Sequence, residues 1–163
     1  MRRRTELAGL PVVEIDSGKV RGKVKDLDFD LDKGRVRGII VVSGRTEGFI
    51  PFDQIYHVGA AAVTVGVEAQ ILPLERHSDP FPLGKRVFSR EGRALGVIDD
   101  ILFDGESGSV WGYQVTAGLL SDFVEGKKGV ALTDELVVGP DSIVVTDAGL
   151  ERPGFDDTSG IVT

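Results

Sequence analysis

The chain contains no cysteine. This absence excludes disulfides, thiolate zinc sites, iron–sulfur clusters and cysteine nucleophiles. Only two histidines occur, His57 and His77, and they do not stand at a metal-binding spacing. We therefore predict no metal-ligating residue and no cofactor.

Long apolar runs are also missing, because the longest cover only a few residues and a membrane-spanning helix needs about 20. The basic start, Met1 to Arg4, is followed by Thr5 and Glu6 rather than by the apolar segment of a signal peptide. We expect a cytoplasmic protein with no integral membrane association.

Methionine and tryptophan each occur once, whereas 22 glycines and 7 prolines are spread over 163 residues. Such a composition favours many turns and short elements over long helices. The hydrophobic share of 41% and the charged share of 28% are typical of a folded globular chain. The sequence therefore predicts an all-β protein.

The net charge of −7 argues against a general nucleic-acid binder, since phosphate contacts depend on lysine and arginine. The charge is uneven, because residues 1–74 carry 11 Lys or Arg against 10 Asp or Glu, and residues 75–163 carry 8 against 16. A basic end, formed by Arg2, Arg3, Arg4 and the cations between 19 and 25, could face RNA or an acidic partner. A solvated charged surface is the favoured interpretation.

The chain contains an internal repeat with a spacing of 74 residues, followed after an insertion by a spacing of 80. The first spacing pairs turn glycines, aspartates and apolar positions of the two halves. The matched pairs include Gly18 with Gly92, Gly22 with Gly96, Asp26 with Asp100, Phe29 with Phe103, Gly34 with Gly108, Val36 with Val110 and Gly38 with Gly112. The second spacing pairs Ile50 with Val130 and Val65 with Val145. We expect two copies of one fold.

Each copy shows the alternation of a short β-hairpin. Residues 25–32 alternate apolar side chains with Asp26, Asp28, Asp30 and Asp32, which predicts a strand with its aspartates on a solvated face. Gly34 supplies the turn, and 62–71 predicts a longer strand. We predict two tandem small β-barrels: 1–74 as repeat 1, a proline-rich linker at 75–82, 83–149 as repeat 2, and a flexible tail at 150–163.

The order of these residues resembles the PRC-barrel domain. The first copy carries the resemblance in 7–13, 22–26, 34–38 and 50–55, and the second in 83–84, 95–100 and 138–139. The family is similar to the barrel of the photosynthetic reaction-centre H subunit and to the C-terminal domain of the ribosome maturation factor. The resemblance implies tandem PRC-type barrels that dock onto other macromolecules and do not catalyse reactions.

The short motifs that could carry chemistry fail their templates. An EF-hand loop starting at Asp28 would need glycine and glutamate where Lys33 and Ile39 stand. His77, Ser78 and Asp79 are sequence neighbours, and neighbours cannot adopt the geometry of a catalytic triad. The glycine-rich stretch 18–22 lacks the lysine and hydroxyl ending of a phosphate loop. We predict no catalytic and no cofactor-binding residue, and hence no enzyme.

An insertion at 117–129 separates the two copies most clearly. Its apolar residues recur at a helical spacing, which predicts a short helical turn near 118–125. Two interpretations stay open: a cap over its own barrel, which is favoured, and an interaction surface. The residues of that candidate surface are Trp111, Leu119, Leu120, Phe123 and Val124.

The function expected from the sequence is a cytoplasmic module that binds or assembles macromolecules, with an unidentified protein as the main partner and a homodimer as a further form. One alternative is an accessory factor for RNA processing or ribosome assembly, which the net acidity disfavours. Another is a peripheral adaptor of a membrane electron-transfer complex, resembling the reaction-centre H subunit.

Overall fold

The computed structural model describes residues 1–75, 81–116, 128–132, 136–145 and 150–151. Strands dominate this part of the chain, and its helical segments are Arg4–Leu7 and a 3-10 turn at Phe52–Gln54. The all-β prediction is confirmed. The helical turn predicted near 118–125 lies outside the described residues.

The first sheet is formed by the first copy. Its strands, in chain order, are β2 (Pro11–Glu14), β3 (Val20–Asp30), β4 (Arg35–Ser43), β5 (Thr46–Pro51), β6 (Ile55–Val58), β7 (Val63–Val65) and β8 (Leu72–Pro73). They are hydrogen-bonded in the order β6-β7-β2-β3-β4-β5-β8. The pair β2 and β7 is parallel, and the other neighbours are antiparallel.

The second sheet repeats this arrangement. Its strands are β9 (Arg86–Ser89), β10 (Ala94–Phe103), β11 (Val110–Thr116), β12 (Lys128–Ala131), β13 (Val137–Val138), β14 (Ser142–Val145) and β15 (Leu150–Glu151), and β1 (Arg2–Arg3) pairs with β10. The order β13-β14-β9-β10-β11-β12 matches that of the first sheet strand for strand, with β14 and β9 as the parallel pair. The strand topology confirms the prediction that the chain contains two copies of one fold.

Glycines at equivalent positions serve the same purpose in both copies. A Cβ on Gly38 would lie 2.2 Å from the carbonyl oxygen of Ile50, and one on Gly112 would lie 1.9 Å from that of Val130. Side chains are therefore excluded where β4 meets β5 and where β11 meets β12, because two backbones approach too closely there.

By its contacts the chain divides into two compact units. The first unit comprises Arg2–Phe81 and Asp100–Trp111, and the second comprises Met1, Pro82–Asp99 and Gly112–Thr163. The tip of the second-copy hairpin thus belongs to the first unit. The repeat boundaries at 74 and 83 stay a prediction. They were placed by matching residues between the two copies, whereas the two compact units are defined by contacts.

Each unit has an apolar core of its own. Leu7, Val12, Ile39, Val63 and Phe103 are fully buried in the first unit, and Val87, Ile98, Val130 and Ile143 are buried in the second. Tyr113 is also buried in the second unit, and the loss of water around it raises the pKa of its phenol to about 12.

Two expectations for the first copy were wrong. Asp28 and Asp30 are buried, with 6% and 9% of their surfaces exposed, although the alternating pattern had placed them on a solvated face. Residues 27–30 of β3 are covered on both faces, which a two-residue period cannot reveal. The strand expected at 62–71 is limited to β7 at Val63–Val65, because the chain turns beyond Gly66.

Candidate functional site

The tips of the two hairpins meet within the first unit through equivalent residues. The Val36 amide donates to the Gly108 carbonyl at 2.7 Å, and the Val110 amide donates to the Gly34 carbonyl at 2.8 Å. Arg35 and Ser109 form an antiparallel bridge between these bonds. Because each copy supplies the same donor and the same acceptor, the contact has a local two-fold character.

The N-terminal residues hold the second-copy hairpin from its other end. Arg2 and Arg3 pair with Phe103 and Leu102 as β1 against β10. The Thr5 hydroxyl donates to the buried carboxylate of Asp100, which also accepts from the Ile101 amide at 2.8 Å. The hairpin is therefore anchored to the first unit at its tip and along its strand.

Asp104 shapes the turn at this hairpin's tip. Its Oδ1 accepts from the Ser107 amide at 2.7 Å, the Ser107 hydroxyl at 2.8 Å and the Glu106 amide at 3.1 Å. These hydrogen bonds, those from Ser107 above all, lower the pKa of Asp104. The turn leaves the side chains of Glu106 and Ser107 exposed.

An open groove of about 980 Å³ lies in the first unit beside this turn. The first copy contributes most of its lining, and the second-copy turn contributes the rest. The lining residues are Asp28, Arg35, Val36, Arg37, Phe49, Pro51, Phe52, Asp53, Ile55, Leu72, Pro73, Glu75, Glu106 and Ser107. The site therefore combines residues from two copies that are far apart in sequence.

Aromatic and proline rings make up much of the apolar lining. Phe49 and Pro51 come from β5, Phe52 begins the 3-10 turn, and Pro73 ends β8. The Phe52 ring also lies against the backbone of Gly108, where a Cβ would come within 2.8 Å of it. Phe52 therefore belongs both to the apolar lining of the groove and to the contact with the second-copy hairpin tip.

The charged lining has buried and exposed parts. Asp28 is buried, whereas Asp53 and Glu106 are exposed and take part in no ion pair within the described residues. The Arg37 guanidinium lies 3.9 Å from the carboxylate of Asp30. The Lys33 amide, which donates to Asp30 at 3.0 Å, is the main cause of that aspartate's lowered pKa.

The basic end predicted from the sequence is largely neutralised by ion pairs. Arg4 binds Asp26 through two bonds of 2.7 Å. The other pairs of this region are Arg2 with Glu6 at 3.0 Å, Arg3 with Glu6 at 3.7 Å, Arg21 with Glu14 at 3.0 Å, and Lys25 with Glu47. The pKa of Glu14 is lowered by the Ser17 hydroxyl and by Arg21.

The structure describes only one residue of the candidate surface predicted around Trp111, namely Trp111 itself. Trp111 is half-buried on β11. Leu119, Leu120, Phe123 and Val124 lie outside the described residues, so that surface stays a prediction. Sequence reasoning missed the groove, because no local pattern joins β4, β5, β8 and the second hairpin. The sequence signals were the replacements of Asp28 by Leu102, of Arg35 by Ser109 and of Arg37 by Trp111 between the two copies.

Among the described residues there is no group of three or more His, Asp or Glu side chains that could hold a metal ion. His57 is exposed on β6. The same residues include no helix long and apolar enough to cross a membrane.

Comparison with known proteins gives a family and a relative. The family model described as "PRC-barrel domain" matches residues 1–69 and again residues 77–151. A relative from Bacillus subtilis (strain 168), described as "Uncharacterized protein YrrD", is 28% identical over 148 residues, which cover 86% of this chain and 84% of the relative. The match extends over both copies, as the repeat requires.

Proposed function

The chain belongs to the PRC-barrel domain family, and from this premise we propose that it is a non-enzymatic cytoplasmic module that binds or assembles proteins. The resemblance stated from the sequence is confirmed by the family match. The family gives the scaffold, and the function has to be argued from the site.

The groove of the first unit is the observation that supports this proposal. Its lining combines apolar side chains with exposed carboxylates such as Asp53 and Glu106, a mixture that protein interfaces also show. A recess of this composition offers both apolar contacts and charge pairs to another protein.

The state of the basic end favours a protein partner over RNA. Arg2, Arg3, Arg4, Arg21 and Lys25 all face carboxylates of the same chain. Phosphate binding would have to compete with these ion pairs for each cation. The role as an RNA-processing or ribosome-assembly factor is therefore the second candidate. Its remaining support is Lys19 and Lys23, for which the described residues show no ion pair within 4.0 Å.

A site-directed photo-crosslink tests the proposal in the full chain. Glu106, at the groove rim, is replaced by benzoylphenylalanine, and Asp32, an exposed residue of the first hairpin turn that does not line the groove, receives the same replacement as a control. Irradiation in the source cells should give protein adducts from position 106 and few from position 32. Equal adducts from both positions, or none, would contradict the proposal.

The mass of the adduct distinguishes the forms of assembly. A band at twice the mass of the chain identifies a homodimer, and any other mass identifies a different protein. Nuclease-sensitive adducts would favour the RNA alternative instead.

A further inference from the structure

We infer that the groove receives an extended peptide segment in which apolar residues, including proline, alternate with lysine or arginine, and that the second-copy hairpin tip completes this site. The inference rests on the proposed function and adds the chemistry of the partner. Three features of the groove support it: the aromatic and proline rings of its lining, the charges of its lining, and the contribution of residues from both copies.

The rings in the groove lining favour an extended apolar segment as the ligand. Phe49 and Phe52 contribute aromatic rings and Pro51 and Pro73 contribute pyrrolidine rings, from β5, the 3-10 turn and β8, and Leu72 also belongs to the lining. Grooves lined by aromatic rings recognise extended, proline-containing chains, because such chains lose little conformational entropy on binding.

The charge of the lining favours a cationic segment. Two carboxylates of the lining, those of Asp53 and Glu106, are exposed and take part in no ion pair within the described residues, against one such guanidinium, that of Arg35. These exposed groups carry more negative than positive charge, which attracts lysine or arginine and repels an acidic peptide.

Aromatic rings add to this preference, since a cation over a ring face is attracted by its quadrupole. The chain uses this contact elsewhere: the Arg4 guanidinium lies 5.4 Å from the centre of the Phe81 ring, and that of Arg86 lies 5.1 Å from the centre of the Phe88 ring. In the groove, Phe49 and Phe52 offer rings next to carboxylates. An arginine of the partner could satisfy both.

The site depends on both copies. Glu106 and Ser107 reach the groove because the bridge between Arg35 and Ser109 seats the second hairpin tip there. Phe52 lies between the groove and Gly108. Moving the tip would remove one rim carboxylate and displace one ring of the lining at the same time.

Three labelled synthetic peptides test the inference by fluorescence anisotropy with the full chain. The first repeats the triplet leucine–proline–arginine, the second replaces arginine by glutamate, and the third keeps arginine but replaces leucine and proline by serine and glycine. We expect the first to bind at least about tenfold more tightly than either of the others, equivalent to about 1.4 kcal/mol. Equal affinity for the acidic peptide overturns the charge argument, and equal affinity for the serine–glycine peptide overturns the apolar one.

Charge-reversal variants locate the binding. Glu106→Lys should weaken binding of the first peptide by about fivefold, and Asp53→Lys by a similar factor, as expected for exposed ion pairs. Asp32→Lys, which makes the same charge change outside the groove, should alter affinity by less than about twofold. A larger effect of Asp32→Lys than of Glu106→Lys overturns the location.

The two proposals fail in different ways. If no peptide binds while the crosslinker at position 106 still captures a protein, the inferred chemistry is wrong and the protein-binding role stands. If the arginine peptide binds but no protein is captured, the chemistry holds and the cellular role is wrong.

Discussion

Adding a methyl group at Gly108 should damage the hairpin contact far more than adding one at the equivalent Gly34. Both glycines have positive φ, +73° and +61° respectively, so Gly→Ala costs about 1–2 kcal/mol in backbone strain at either position. At Gly34 nothing lies within 4 Å of the new Cβ, whereas at Gly108 three atoms of the Phe52 ring lie 2.8–3.1 Å away. Overpacking adds about 1–3 kcal/mol.

We therefore expect Gly34→Ala to lower the free energy of unfolding by about 1–2 kcal/mol and Gly108→Ala by about 2–5 kcal/mol. Urea titration followed by the fluorescence of Trp111 measures this, because Trp111 is the single tryptophan and belongs to the same compact unit. Gly108→Ala should also weaken binding of the arginine peptide. Equal losses for the two variants would refute the contact between Phe52 and the hairpin tip.

Three further predictions concern the scaffold. Gly38→Ala and Gly112→Ala should each cost about 3 kcal/mol or more, since the new Cβ would strike backbone carbonyls; urea midpoints and soluble yield check this, and a mild effect at either position would contradict the close approach. The half-exposed pair of Arg4 and Asp26 should show a coupling of about 1 kcal/mol in a double-mutant cycle of Arg4→Met and Asp26→Asn, and a coupling unaffected by salt would argue against an ion pair. The lowered pKa of Asp104 means that its contribution to stability is present above the pKa of the unfolded chain and lost as pH falls through the folded value, so Asp104→Asn should flatten the decline of the urea midpoint below about pH 4.

The repeated scaffold was accessible from the sequence because glycines and alternating apolar residues report local geometry. Gly34 and Gly108 have positive φ at the predicted turns, and Gly38 and Gly112 lie where backbones approach closely. Each of these constraints acts within a few residues or across one strand pair. When the same residue type recurs at equivalent positions of both copies, the recurrence distinguishes a structural requirement from a coincidence.

The burial of Asp28 and Asp30 and the groove could not be predicted in the same way. A period of two shows which side chains share a face, and it does not show whether a distant segment covers that face. Asp28 lies in a recess whose other walls come from β5, β8 and the second hairpin. Because these residues are far apart in the chain, no regular spacing in the sequence indicates that they lie together.

The two copies differ at charged positions of the proposed site. Positions that the backbone constrains are kept as glycine or valine in both: Gly34 and Gly108, Val36 and Val110, Gly38 and Gly112. The charged positions that line the groove on β3 and β4 differ: Asp28 is matched by Leu102, Arg35 by Ser109 and Arg37 by Trp111. The second copy adds Glu106 and Ser107 to the lining. Duplication has therefore preserved the scaffold, while one copy supplies the walls of the groove and the other contributes its hairpin tip.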